Sequence, residues 1–280
     1  MTMRRTPRNR SAAWAALATW ALAGCAPLPP QPPVAGRVQL ALPAGDWVDL
    51  GPLAPLAVPS GDTSLPLERR LAALRHPQGG WAAAVVLGAV PQGATWAPTA
   101  LPACTARRGE TVDDQSAIVL PLPQGVRPVR ADCLRTKLWA DNRDWLAQNR
   151  PDLQAALAAA GVTVRSSAGL VSHTYTTATG AYVSLDVLAD QALLVPPTRN
   201  AAEFLQAGQP VARWAQELAR AVRASTGMLN GQLALPPFPF ALAPQPASSA
   251  SAPPTAAPAA ASPRPAPAPV VQPSPSPKES

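Results

Sequence analysis

Histidine is nearly missing from this 280-residue chain: there are two, His76 and His173, beside three cysteines. No HExxH, HxH or CxxC grouping occurs. A zinc centre, which needs about three or four such ligands, has no sequence support. Glycine-rich phosphate loops are missing, so nucleotide binding has no support, and no GxSxG elbow marks a serine hydrolase. Aromatic residues make up only 5% and charged residues 14%, so the 47% hydrophobic content overstates the core, much of it being alanine. The apolar run of 13 residues from Ser11 to Ala23 is also too short for a membrane-spanning helix of about 20 residues.

That short run is nevertheless the most specific feature present. Arg4, Arg5, Arg8 and Arg10 precede it with no acid among them, and it ends Leu22-Ala23-Gly24-Cys25. A cationic region, an apolar region and a small-residue cleavage site follow one another in the order of an export signal. An N-terminal anchor, or a secretory signal with an unrelated cysteine, is the simpler alternative. The segment resembles the lipobox of bacterial lipoproteins of the Gram-negative type. The resemblance implies that residues 1–24 are removed and that Cys25 carries a diacylglyceryl thioether and an N-acyl chain, including palmitate. More than one acyl chain anchors stably, whereas one is marginal. Ala26 rather than Asp follows the cysteine, which in the sorting rule of that family favours an outer-membrane, periplasm-facing location over the inner membrane. The covalent lipid is the only prosthetic group expected.

Cleavage also changes the charge. Four of the 23 basic residues leave with the signal, so 19 remain against 16 acids and the net charge falls from +7 to about +3. That bias is too small to argue for nucleic acid, and export opposes it. The expected partners are the membrane, through the lipid, and an envelope protein or an anionic envelope polymer.

Composition divides the rest of the chain. Residues 25–36 form a Pro-rich tether, and residues 236–280 hold 15 prolines in 45 positions with Ala and Ser between them. Such a tail has too little branched or aromatic surface to offset its ordering entropy, so it is expected to be disordered and extended. Between the two lies one domain, residues 37–235, large enough for a real core.

Within it, Val38 to Leu42 and Trp47 to Leu50 read as strands. Glu68 to Arg75 and Trp81 to Val90 form a hairpin across His76-Pro77-Gln78-Gly79-Gly80. Ile118 to Leu120 and Asp132 to Trp139 are further strands. Asp141 is placed to cap a short helix with Trp145 and Leu146, and Pro151 opens another that stops near Gly161. Leu170 to Thr177 and Ala181 to Leu188 make a second hairpin through Thr179-Gly180. A short helix begins at Asn200 with Glu203 reaching back. A second follows, with Val211, Trp214, Leu218 and Val222 on one face and an end near Gly227. The expected fold is α+β: a mainly antiparallel sheet of hairpins with helices packed on one face, flanked by disordered Pro-rich arms.

Cys104 and Cys133 remain as an even pair in an exported domain and read as a structural disulfide. Around that loop stand Arg107, Arg108, Arg127, Arg130, Arg135 and Lys137, a candidate cationic patch for phosphate or carboxylate groups. The alternative is a solvated rim neutralised by Glu110, Asp113, Asp114 and Asp132. Asp113 and Asp114 lack the ligand spacing of a calcium loop. Ser172, His173 and Asp186 hold the residue types of a hydrolytic triad. Neighbours on one strand point to opposite faces, however, so Ser172 and His173 do not converge. No catalytic or metal-ligating residue is assigned. Trp96, on a loop, is a candidate partner anchor. The expected function is a non-catalytic binding or structural role for a membrane-anchored envelope lipoprotein. The alternative is a periplasmic hydrolase acting on cell-wall or lipid material.

Overall fold

The computed structural model describes residues 31–60, 63–95, 104–118, 129–141, 144–164, 167–227 and 231–242. Residues 1–24, Cys25, Trp96, Arg127 and all residues from 243 onward lie outside them. The chain begins with β1 (Val34–Ala35), β2 (Val38–Ala41), β3 (Trp47–Ser60), β4 (Thr63–Arg75) and β5 (Trp81–Ala89). It continues with β6 (Thr111–Asp114), β7 (Ala117–Ile118), β8 (Val129–Arg130) and β9 (Asp132–Asp141), then α1 (Asp144–Asn149) and α2 (Pro151–Ala159). Last come β10 (Ser167–Thr176), β11 (Tyr182–Asp190), α3 (Gln191–Leu194), α4 (Ala201–Gly227) and β12 (Gln232–Ala234).

Seven strands form one antiparallel sheet in the order β3-β4-β5-β11-β10-β9-β6. The β10–β11 hairpin therefore inserts between β5 and β9 at the sheet centre. Its turn is fixed by the Thr177 hydroxyl, which accepts the Ala181 N–H, and by Gly180 at φ 95°. A smaller sheet pairs β1 with β2 and adds β12 parallel to β2, while β7 and β8 pair separately.

The α+β class with helices on one face does not hold. Strand accounts for 44% and helix for 25%, so the protein is a mainly antiparallel β fold. Its helices, four among the described residues, are also divided between the two faces of the sheet. On one face, Val85, Leu87, Val171, Leu185 and Val187 pack against Val211, Trp214, Leu218 and Val222 of α4. On the other, Leu71, Val86, Leu170 and Leu188 pack against Trp145, Leu146, Leu153 and Leu157 of α1 and α2. The cause is visible in β5, where every residue from Ala82 to Ala89 is buried. A strand apolar on both sides requires cover on both sides.

The two helices expected after Asn200 are one helix of 27 residues that runs through Pro210. Asn200 Oδ1 accepts the Glu203 N–H at 2.9 Å, and Glu203 accepts the Arg199 N–H at 2.8 Å, which closes the N-terminal cap. Phe204 and Ala207, before the proline, pack on the same core as Val211 and Trp214 after it. Shared burial on both sides offsets the hydrogen bond that proline cannot donate. The chain also stays packed beyond Leu235. Trp214 Nε1 donates to the Pro236 carbonyl at 3.0 Å, and Phe238 stacks on both Trp214 and Trp47.

Candidate functional site

Cys104 and Cys133 form a disulfide that joins positions 29 apart in sequence. It fastens the segment before β6 to β9, at the start of the strand that pairs with the central hairpin. Trp145 of α1 donates its indole N–H to the Arg108 carbonyl at 3.2 Å, and Lys137 stands 5.7 Å from the centre of the same ring. Glu110 accepts the Arg107 backbone N–H at 2.9 Å.

The predicted cationic residues are gathered only in part. Burial lowers the Arg135 guanidinium below its ordinary pKa, and the charges of Arg107 and Arg150 lower it further, with Glu110 and Asp186 opposing. Arg107 and Arg150 thus both lie near enough to Arg135 for their charges to act on it. Arg108 is exposed, and Lys137 lies by Trp145. Arg130 is on β8, where it donates to the Gln115 carbonyl at 3.1 Å rather than into the Arg107–Arg135 group. Arg127 lies outside the described residues.

Arg150, between α1 and α2, is the residue that the sequence did not single out. Nη1 and Nη2 each lie 2.7 Å from an oxygen of Asp186. Nη1 also donates to Ser172 Oγ at 3.1 Å, and Nε and Nη2 both reach Asp152 at 3.2 Å. All five N–H groups of the guanidinium are engaged. Strand register prepares the acceptors: Ser172 sits directly opposite Asp186 on β11 and opposite Arg135 on β9. Burial raises the Asp186 carboxyl, but Arg150 and the Ser172 hydroxyl more than compensate and hold it below the usual carboxylate range. Burial, together with Asp186, pushes the nearby Tyr182 hydroxyl up to about 12.

His173 belongs to a different cluster. On the α4 face its Nε2 lies 3.0 Å from Asp132, whose carboxylate also receives two bonds from Arg223 of α4 at 2.8 and 3.0 Å. Burial raises the Asp132 carboxyl, and the His173 and Arg223 bonds bring it below its ordinary value. Ser172 and His173 therefore serve opposite sides of the sheet. Each side uses an Asp–Arg pair to tie a helical layer to the strands.

The acidic pair near the disulfide is also engaged. Asp113 accepts from Gln216 of α4 at 2.7 Å and from Gln115 at 3.2 Å, while Asp114 accepts the Ser116 N–H at 3.0 Å. His76 accepts the Gln78 N–H in the β4–β5 turn. Among the described residues no three His, Cys, Asp or Glu side chains gather where a metal ion fits. Chemically, the Arg150 cluster has no free base: its serine proton is directed at a carboxylate already held by two guanidinium bonds. On the disulfide-fixed ledge Arg108 is exposed, and Arg107 and Lys137 are half-buried. No family model, curated protein or solved structure matches the chain.

Proposed function

We propose that this protein is a lipoprotein of the bacterial envelope, anchored by acylated Cys25 in the outer membrane with its domain facing the periplasm, and that the domain acts by binding rather than by catalysis. The observation that carries the reading is the Leu22-Ala23-Gly24-Cys25 sequence behind an arginine-rich, acid-free leader. Two features of the domain support it. The disulfide suits an oxidising compartment. Ser172 and Asp186 are engaged by Arg150, while His173 is engaged by Asp132 on the other face, so the most triad-like residues have structural work.

The binding surface is the ledge held by the disulfide. Arg107, Arg108 and Lys137 present cations suited to carboxylates or phosphates of an envelope polymer, and Arg135 stands behind them. Fractionation tests the anchor: wild-type protein sediments with membranes and is released by detergent, and Cys25→Ala shifts it to the soluble periplasm. Retention of Cys25→Ala in the membrane would sink the proposal. Binding is tested by sedimentation with purified cell-wall polymer, which Arg107→Glu with Arg108→Glu should reduce.

A further inference from the structure

A cavity of about 410 Å³ opens where β2 leads into β3 and β4 turns into β5. Its volume falls within the range of about 300–1,000 Å³ usual for small-ligand sites. Leu74, Leu193, Phe238, Phe240 and Leu242 supply apolar walls, and among the described residues Asp46, Arg75 and His76 are the ionisable ones lining it. Arg75 and Asp46 are mostly exposed and 3.9 Å apart, a weak surface pair that leaves the arginine able to meet an anion at the mouth. A partly open apolar cleft with Arg75 beside Asp46 at its rim suits the hydrocarbon chain of a lipid whose headgroup carries a phosphate.

The path of the backbone brings this cavity to the end at which the described residues begin. Val34 pairs with Gln39, and the Pro33 carbonyl accepts the Leu40 N–H at 2.8 Å. Traced toward the N-terminus, the chain therefore runs beside β2 toward the end that continues into Pro43 and Ala44, two residues of the cavity wall. Cys25 precedes the first described residue, Gln31, by six positions, and six residues span at most about 20 Å. β12 runs parallel to β2 and delivers Phe238, Phe240 and Leu242 to the same end.

We infer that this cavity receives one acyl chain of a bilayer phospholipid, with Arg75 at its mouth toward the phosphate. The inference rests on the proposed anchor at Cys25, which keeps this end of the domain close to a membrane. The occupant comes from the bilayer, since a membrane lipid is present at high local concentration wherever the anchor is inserted.

Photo-crosslinking tests the cavity separately from the anchor. The full-length Cys25→Ala chain, which cannot be acylated, is mixed with vesicles of phosphatidylglycerol that carries a photoreactive group near the end of one acyl chain. Adducts are expected on the Leu193 peptide and on the segment containing Phe238, Phe240 and Leu242. Two variants should each reduce them by about tenfold or more, the scale of lost apolar contact in a pocket. Phe240→Asp places a charge in the wall. Ala44→Trp, at an exposed wall position, narrows the mouth without removing a core side chain. Adducts confined to other peptides, or a yield unchanged in both variants, would overturn the inference. Because this chain carries no lipid, that result would leave the anchor to be judged by fractionation alone.

Discussion

Ser172 and Asp186 face each other across the β10–β11 hairpin, with the serine hydroxyl donating to the carboxylate at 2.6 Å. The pair has the composition of the start of a catalytic relay and the surroundings of a structural joint. Arg150 closes it from the α1–α2 junction, and burial makes the joint depend on all three members.

Removing Arg150 leaves a buried carboxylate without its counter-ion. Arg150→Met is expected to cost about 3–5 kcal/mol, the usual penalty for breaking one side of a buried ion pair. Combining it with Asp186→Leu should cost less than the two single losses together, because the residues are directly coupled. Urea unfolding of the four proteins in the cycle gives both quantities.

Acid should weaken the fold through these carboxylates. Asp186 and Asp132 are both held below their ordinary pKa. An unfolded aspartate takes its proton near pH 3.9, while the native groups take theirs at lower pH, so in that window the unfolded state binds more protons. Their contribution is present above about pH 4–5 and is lost as pH falls through the native values. The urea midpoint measured from pH 7 to pH 3 should fall chiefly below about pH 4.5, and Asp186→Asn should flatten that decline.

The disulfide closes a loop across positions 29 apart and, in the chain-entropy account, contributes about 3.6 kcal/mol. The Cys104→Ser, Cys133→Ala double variant should therefore melt lower than the oxidised protein. It should also release Trp145 from the Arg108 carbonyl, read as a change in tryptophan emission. Thiol titration of protein purified without reductant should find no free thiol at either position.

Gly231 lies at φ 57°, and an added Cβ would collide with the Arg37 carbonyl where β12 approaches β2. Backbone cannot yield there as a flexible side chain can. Gly231→Ala is expected to destabilise by more than the roughly 0.4–1 kcal/mol that the same change gains where the geometry is compatible, measured by thermal unfolding.

Local chemistry announced the hairpins. Gly79-Gly80 and Thr179-Gly180 mark turns between β-rich runs, and the opposed faces of Ser172 and His173 follow from strand periodicity alone. The helical layers were less legible, because an apolar stripe shows that a helix is covered without showing which face of a sheet covers it. Strand β3 was seen only at its start. Pro52, Pro55 and Pro59 look like loop residues, yet β3 is an edge strand, where proline is tolerated. Pro210 similarly concealed the unity of α4. The Arg150 joint was invisible because its partners lie 22 and 36 positions away and meet only once β10, β11 and the α1–α2 junction are assembled.

The anchor underlies the functional account, and the mature N-terminus tests it most directly. Mass spectrometry of the N-terminal peptide from membrane-extracted wild-type protein should find residue 25 first, carrying a diacylglyceryl group and an additional acyl chain. An N-terminus that still includes residues 1–24, or an unmodified Cys25 in the membrane-bound protein, would contradict it.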